Sequence, residues 1–171
     1  APNTWRSLET GLRCENWLRA AALLADSGVL TDERRTRMDA SLAQHGKHLV
    51  RSYDTFHELS NWGILQDNGL YLLGLYLGRQ DWCALAARRM DENLHRSVFA
   101  DGSQWEQSPL YHCEVLHSAL NTLHYAQAAG QTLPERMVEN IRRMCTALAK
   151  WCKPNGELLL QSDSDTVDAR D

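Results

Sequence analysis

The feature that most constrains this chain is the apolar stretch at residues 64–77, where hydrophobic side chains occur on nearly every face of a helix. Such a helix has to be covered on several sides. Most other segments carry a single apolar stripe with spacings of three and four residues, and none alternates for long with a period of two. The sequence therefore predicts an all-α fold. The clearest single stripe consists of Met137, Ile141, Met144, Leu148 and Trp151.

Capping and breaking residues divide this pattern into helices. Thr31, Asp81 and Ser108 are predicted N-caps, Pro109 and Pro134 suit the start of a helix, and glycines at 28, 78 and 130 can end one. The stripe through Met38, Leu42, His45 and Leu49 continues in register to Phe56. We predict six helices, at 6–26, 31–57, 62–77, 81–97, 109–129 and 134–152, and a short extended piece at 158–160.

The connections between the predicted helices indicate how they are arranged. Short turns join the first helix to the second, the third to the fourth and the fifth to the sixth, which gives three antiparallel hairpins. A buried inner helix paired with an amphipathic outer one is typical of an (α/α) solenoid or toroid. A plain helical bundle is the alternative. Residues 1–171 are predicted to form one all-α domain, a fragment of a larger toroid.

Charge and composition exclude several function classes. The 171 residues carry a net charge of −4, so the chain is not a generally basic nucleic-acid binder. No apolar run approaches the roughly 18 residues that cross a bilayer. The 5 cysteines are scattered and lack a C-x-x-C pair, which favours small buried thiols in a reducing compartment over disulfides or zinc.

Two polar stretches, at 60–70 and 101–112, lie where buried helices begin. Asn61 and Asn68 in the first stretch are seven residues apart and face the same way on a helix that starts early. Burying amides at the head of an apolar helix is costly unless they are paired. N-capping and loop packing form the alternative interpretation of Asn61.

Tyr111 is predicted to lie in the first turn of its helix, off the apolar stripe. Backbone N–H groups and the helix dipole favour negative charge there, which would help a phenolate form in a cleft. A half-buried tyrosine bonded to a loop carbonyl is the alternative. His112 beside it is predicted to orient a partner, donate a proton or cap the turn.

The sequence carries no convincing cofactor site. The seven histidines show no H-x-x-x-H or H-E-x-x-H pattern, and His45 and His48 stand alone. The run Asp163-Ser164-Asp165 resembles the start of a calcium loop, but Val167 occupies the next ligand position. There is no phosphate-binding glycine loop. We therefore predict neither a metal nor a cofactor.

Several motifs together resemble the heparinase II/III-type polysaccharide lyases, and the resemblance covers nearly the whole chain. The most specific motif is Glu106-Gln107-Ser108-Pro109-Leu110-Tyr111-His112, with Ser-Pro-x-Tyr-His beginning a helix. The others are Thr4-Trp5-Arg6-Ser7-Leu8-Glu9-Thr10-Gly11-Leu12-Arg13, Asn61-Trp62-Gly63-Ile64, Gly156 through Asp163-Ser164-Asp165, and Asp168-Ala169-Arg170-Asp171.

The resemblance implies an N-terminal (α/α) toroid, followed in the family by a β-sandwich domain that this chain lacks. It implies β-elimination on an acidic, uronic-acid-containing polysaccharide. Asn61 matches the family asparagine that neutralises the uronate carboxylate, and Tyr111 matches the tyrosine that acts as base, acid or both. No metal is needed, although some relatives carry one in the domain absent here.

This sequence departs from the family pattern directly after Asn61. The family commonly has histidine where this chain has Trp62, so either Trp62 is a sugar-stacking platform or the histidine role has moved, to His112 for example. Asn68 stands where some relatives carry histidine, and another family histidine belongs to the absent domain. The fragment alone is therefore expected to be inactive or nearly so.

Arg13, Trp62, Asn68 and Glu106 are predicted to bind substrate or support the groove. Arg13 would bind a carboxylate, with Trp17 stacked beside it; a structural Arg–Trp pair is the alternative. A catalytically silent carbohydrate-binding toroid and a helical scaffold for protein partners are the other functions considered. Heparan-like, alginate-like and exopolysaccharide uronates all fit, as do periplasmic and cytoplasmic locations in a bacterium.

Overall fold

The structure is a computed structural model that describes residues 2–166, with side chains from residue 4 onward. A 3-10 turn at Pro2–Trp5 precedes the helices. The helices are α1 (Ser7–Leu23), α2 (Asp32–Arg51), α3 (Asn61–Tyr76), α4 (Gln80–Ser97), α5 (Pro109–Ala128) and α6 (Glu135–Trp151). In the described part of the chain the regular structure is helical, apart from isolated bridge contacts such as Val98 with Gln104. The predicted all-α class is confirmed.

The helices form three successive hairpins in two layers. Tight turns with positive φ at Gly28, Gly78 and Gly130 follow α1, α3 and α5. These three helices pack side by side as an inner layer, and α2, α4 and α6 return along the outside. The inner helices are parallel to one another, so their N-termini lie at one end of the molecule. That end carries the candidate site.

Helix α3 is the centre of the core, as its apolar sequence predicts. Every residue from Gly63 to Gly74 is buried, and α3 packs against α1, α4 and α5. Its contact with α1 is very close because two glycines face each other. A methyl group on Gly69 would lie 2.4 Å from the Gly11 carbonyl oxygen. Neither glycine was predicted from the sequence to make this contact.

The prediction that the second helix reaches residue 57 is wrong. Helix α2 ends at Arg51, and Phe56 lies in a linker with more than half of its surface exposed. Side chains from other helices bind the last carbonyl groups of α2. Gln66 donates to the Leu49 oxygen at 2.8 Å, and Arg89 donates to the Val50 oxygen at 2.9 Å. The apolar register continues past this point, but the carbonyl groups are bound by side chains from α3 and α4.

The other predicted boundaries differ by a few residues at most. Thr31 and Ser108 are N-caps, accepting bonds from Arg34 N and Tyr111 N. Asp81 is not one, because α4 begins a residue earlier and Asp81 pairs with Arg79. Residues 158–160 form no strand. The five cysteines are free thiols. None of the described helices combines the length and the apolar character that a membrane-spanning segment needs.

Candidate functional site

An open groove of about 640 Å³ lies at the N-terminal end of the inner layer. Its floor is apolar, with Leu8 and Leu12 from α1, Leu65 from α3 and Leu110 from α5. Three helices contribute because their N-termini converge there. Of the predicted site residues, the structure brings four into this groove: Asn61, Trp62, Glu106 and Tyr111.

Asn61 is the first residue of α3, and Glu106 holds it in place. The Glu106 carboxylate accepts one hydrogen bond from the Asn61 backbone N–H at 2.8 Å and another from its side-chain Nδ2 at 2.9 Å. Ser60, the N-cap residue, makes no capping bond with its side chain. Glu106 therefore supplies the acceptor that the first N–H group of α3 would otherwise lack.

Tyr111 lies in the first turn of α5, as predicted. Ser108 Oγ accepts a bond from Tyr111 N at 3.3 Å, and Ser164 Oγ accepts one from Leu110 N at 3.1 Å. The two serine hydroxyls are 3.0 Å apart, so the segment after α6 folds back onto this turn. The start of α5 is thus fixed from two directions, and Tyr111 lines the groove beside Glu106.

Aromatic rings form much of the groove wall. Trp62 meets Phe56 edge to face at 5.3 Å between ring centroids, and the Arg6 guanidinium lies 4.9 Å from the Trp62 ring. Trp105 lies across the groove and donates its indole N–H to the Leu59 carbonyl. Neither Phe56 nor Trp105 was predicted from the sequence as a groove residue. A tryptophan within the polar stretch 101–112 was the available signal for Trp105, whereas Phe56 was assigned to a helix.

Charge in the groove is negative. Glu106 and Glu114 line it, and none of the described lining residues is a lysine or arginine. Among the residues that the structure describes, no cluster of three or more His, Cys, Asp or Glu side chains could hold a metal ion.

His112 does not line the groove, although the sequence analysis placed it among the catalytic residues. It is 1% exposed and donates from Nε2 to the Met144 carbonyl of α6 at 3.0 Å, with its ring against Trp151. Burial lowers the pKa of His112. Successive residues of a helix point about 100° apart, so Tyr111 and His112 cannot both face one side.

Asn68 is also outside the groove, because α1 and α5 cover this part of α3. It is fully buried, donates to Glu15 at 2.7 Å and accepts bonds from Asn121 and Thr122. It faces the same direction as Asn61 but lies two turns deeper, within a closed polar cluster. Its place in the structure therefore gives it no contact with a ligand in the groove.

Arg13 binds parts of the protein rather than the groove. Its guanidinium lies 3.1 Å from His45 Nε2 and donates to the Thr4 carbonyl at 2.8 Å. Trp17, predicted to stack with it, contacts the His45 ring at 5.4 Å instead. Arg13 thus ties α1 to α2 and to the N-terminal turn.

A Ser–His–Asp arrangement holds the linker between α2 and α3. Ser7 Oγ lies 2.6 Å from His57 Nε2, and His57 Nδ1 lies 2.7 Å from Asp54 Oδ1. The exposures are reversed from those of a serine hydrolase, because Ser7 is 5% exposed whereas the Asp54 side chain is 68% exposed. The bond with His57 lowers the pKa of Asp54. This arrangement fixes the linker that carries Phe56 and Ser60 into the groove wall.

Comparisons with known proteins agree with this architecture. A family model described as "Heparinase II/III N-terminus" matches residues 1–171. No curated protein matches the sequence. Residues 168–171, which form one of the motifs that resemble the lyase family, lie outside the residues that the structure describes.

Solved structures share the fold at low sequence identity. The heparinase III that is the BT4657 gene product has a TM-score of 0.80 and 19% identity, covering 96% of this chain and 26% of that one. The heparan sulfate lyase HepC from Pedobacter heparinus has a TM-score of 0.72 and 21% identity, covering 90% and 25%. The predicted helical toroid is confirmed. The chain spans about a quarter of the length of these structures.

Proposed function

Because this chain belongs to the heparinase II/III N-terminus family, we propose that it supplies part of the active site of a polysaccharide lyase. The reaction is β-elimination at a uronic-acid linkage of an acidic polysaccharide. One observation carries the proposal: Asn61 and Tyr111, from two different inner helices, line the same open groove between aromatic side chains. The similar solved structures are described as heparinase III and as a heparan sulfate lyase, which supports the same reaction class.

The reaction sets three requirements for the site. A base removes the proton on the carbon next to the carboxylate, and the electrons of that bond form a carbon–carbon double bond. The glycosidic oxygen on the neighbouring carbon leaves with its bonding pair and takes a proton from an acid. The proton to be removed is weakly acidic while the carboxylate is ionised, so the site has to stabilise the charge that develops on that group.

Asn61 meets the requirement for charge stabilisation. Its side-chain nitrogen carries two N–H groups, of which one binds Glu106. The other donates to the uronate carboxylate in this proposal. The amide is itself uncharged, and its place in the first turn of α3 adds the favourable dipole of a helix N-terminus.

Tyr111 carries the proton transfers as base, as acid, or as both in turn. It lines the groove with Glu106, in the first turn of α5. Trp62 and Trp105 provide flat apolar faces on which sugar rings can stack. His112, Asn68 and Arg13 have no part in this mechanism, because each is engaged elsewhere.

The remaining parts of the site belong to the rest of the protein. We propose that further toroid helices and a β-sandwich domain complete the groove, and that the sandwich supplies a histidine distinct from the family histidine that Trp62 replaces. Positive charge for an acidic polymer would come from those parts too, since the described groove residues carry only negative charge. The proposed substrate is any polysaccharide with a uronic-acid linkage, and no single polymer is assigned.

The experiment is a lyase assay on the full-length protein with heparan sulfate and alginate. The unsaturated uronate product absorbs in the ultraviolet, which gives a direct readout. We expect Tyr111→Phe to reduce turnover by a factor of about 100 or more, since general acid–base catalysis contributes roughly 10²- to 10⁴-fold. Tyr125→Phe, a tyrosine on the same helix outside the groove, is the matched control. Normal turnover by Tyr111→Phe would refute the tyrosine assignment.

A carbohydrate-binding protein without lyase activity is the second candidate, and the aromatic groove wall is the observation that favours it. Phe56, Trp62 and Trp105 would bind sugar rings whether or not elimination follows. Oligosaccharide binding by the full-length protein, weakened by Trp62→Ala but yielding no unsaturated product, would identify this function. Product formation excludes it.

A further inference from the structure

We propose that Glu106 is a positioning residue that fixes which end of the Asn61 amide faces the substrate. This inference rests on the proposed lyase function. It changes the role of Glu106 from a group that binds the sugar to one that acts through Asn61. The inference is based on four hydrogen bonds made by the Glu106 side chain and backbone.

The geometry gives Glu106 two tasks at once. One carboxylate oxygen accepts from the Asn61 backbone N–H at 2.8 Å, and the other accepts from the Asn61 side-chain Nδ2 at 2.9 Å. Gln104, which is 2% exposed, donates from Nε2 to the first of these oxygens at 3.1 Å and accepts from the Glu106 N–H at 2.9 Å. Glu106 is thus itself held by a buried neighbour.

The chemistry of the two side chains makes the orientation unique. An asparagine amide can present either its oxygen or its nitrogen after a half-turn, whereas an ionised carboxylate only accepts hydrogen bonds. Facing Glu106, the amide has to point Nδ2 toward the carboxylate. Without Glu106, the amide could turn its oxygen toward the position of a uronate carboxylate and repel it.

The same contacts argue against a direct role for Glu106 in binding. Its carboxylate oxygens already accept three hydrogen bonds from protein donors. An ionised Glu106 would also repel a uronate carboxylate placed against it. In the positioning role the uronate carboxylate binds the second N–H of Asn61 Nδ2 and makes no contact with Glu106 itself.

The test is Glu106→Gln in the full-length protein, with heparan sulfate and alginate as the substrates. Glutamine has the same shape, but its NH₂ group opposes one of the two Asn61 donors. We expect kcat to fall about 10- to 100-fold, as when the supporting partner of a functional group is removed, with KM changed less than about threefold. Glu58→Gln is the matched control, because Glu58 is an exposed carboxylate on the linker before α3, where it pairs with Arg96.

A second variant separates orientation from folding. Glu106→Asp keeps the charge near the start of α3 but is one methylene too short to reach both Asn61 donors. We expect a folded protein, by circular dichroism, with a reduced kcat. In the double variant Asn61→Asp with Glu106→Gln the side-chain bond re-forms with reversed polarity, so its melting temperature should exceed that of Asn61→Asp alone. Turnover should be lost, because a carboxylate at position 61 cannot donate to the uronate.

The outcomes distinguish this inference from the proposed function. If Asn61→Ala and Tyr111→Phe are inactive while Glu106→Gln has normal kcat, the positioning role is wrong and the lyase function stands. A raised KM at normal kcat in Glu106→Gln would mean direct substrate binding and would also overturn the inference. If Asn61→Ala and Tyr111→Phe keep full turnover, the proposed function itself fails.

Discussion

Two adjacent side chains at the start of α5 face different parts of the molecule. Tyr111 lines the open groove, whereas His112 is buried between α5 and α6 and donates to the Met144 carbonyl. Its Nδ1 atom is buried without a hydrogen-bond partner among the described residues. Adding a proton to this ring would place a charge in an apolar setting, which is why the pKa of His112 is lowered.

The pH dependence of stability follows from this shift. In the unfolded chain His112 has an ordinary pKa of about 6.5, while the folded value is lower. Below about pH 6.5 the unfolded state therefore binds more protons, and stability falls as the pH drops toward the folded pKa. We expect His112→Gln to flatten the decline in melting temperature between neutral pH and about pH 5. Thermal melts of both proteins across this range check it.

Other groups do not obscure the comparison. His45, whose pKa burial also lowers, contributes a similar slope to both proteins. Burial raises the pKa of Asp67, which gives a slope of opposite sign that is again common to both. The lowered pKa of Asp54 acts only near and below about pH 4. Equal slopes in the two proteins would show that His112 does not govern this pH range.

At the level of single residues, the sequence predicted positions near helix starts better than it predicted side-chain directions. Tyr111 was placed by its cap Ser108 and Asn61 by the polar stretch at the start of its helix, and both line the groove. Their catalytic roles remain predictions. The directions of His112 and Asn68 depend on which neighbouring helix covers them. That information resides in long-range contacts with Met144 and Glu15, which no local pattern contains.

At the level of elements, α1 and α3 approach each other closely at a pair of glycines. Gly69 faces Gly11, and a methyl group on Gly69 would approach the Gly11 Cα to 2.7 Å. Both neighbours are backbone atoms, so rotation of a side chain cannot relieve the contact. The two helices would have to separate.

We therefore expect Gly69→Ala to lower the free energy of unfolding by about 1–3 kcal/mol, the usual range for overpacking a core. The intrinsic gain in helix propensity from glycine to alanine, up to about 1 kcal/mol, offsets part of this cost. Gly28→Ala is the comparison, because no atom lies within 4 Å of the added methyl group there and only the positive φ opposes it. Urea titrations measure the free energy of unfolding of the Gly69→Ala and Gly28→Ala proteins. A stabilised Gly69→Ala protein would contradict the backbone contact.

The extent of each element was predicted well except where side chains from elsewhere end a helix. Periodicity gave six helices and three hairpins, because it reports directly on burial. It extended α2 to residue 57, since Phe56 continues the apolar register. The structure ends α2 at Arg51, where Gln66 and Arg89 bind its last carbonyl groups. Such contacts join residues far apart in sequence.

At the level of the whole molecule, the proposed function makes this chain one part of a larger groove that further segments complete. It spans about a quarter of the length of the solved structures that share its fold. Its groove is open, apolar and negatively charged, which is a poor environment for an acidic polymer on its own. The resemblance to the family assigns a further catalytic histidine to the β-sandwich domain.

We expect the 171-residue chain alone to release no unsaturated uronate, although Asn61 and Tyr111 are both in place. The full-length protein should release it under the same conditions. The ultraviolet assay compares the two directly, with circular dichroism to verify that the shorter chain is helical. Turnover by the folded short chain at a rate near that of the full-length protein would show that these helices suffice.

The contact between Gly11 and Gly69 sets how far α1 and α3 lie apart, and so how wide the groove is. Leu8 and Leu12 stand on one of these helices, and Asn61 and Leu65 stand on the other. A side chain added at either glycine would push α1 and α3 apart and widen the groove, without changing a residue that lines it. In the proposed lyase, the separation of α1 and α3 at these glycines would then set how bulky a polysaccharide the groove admits.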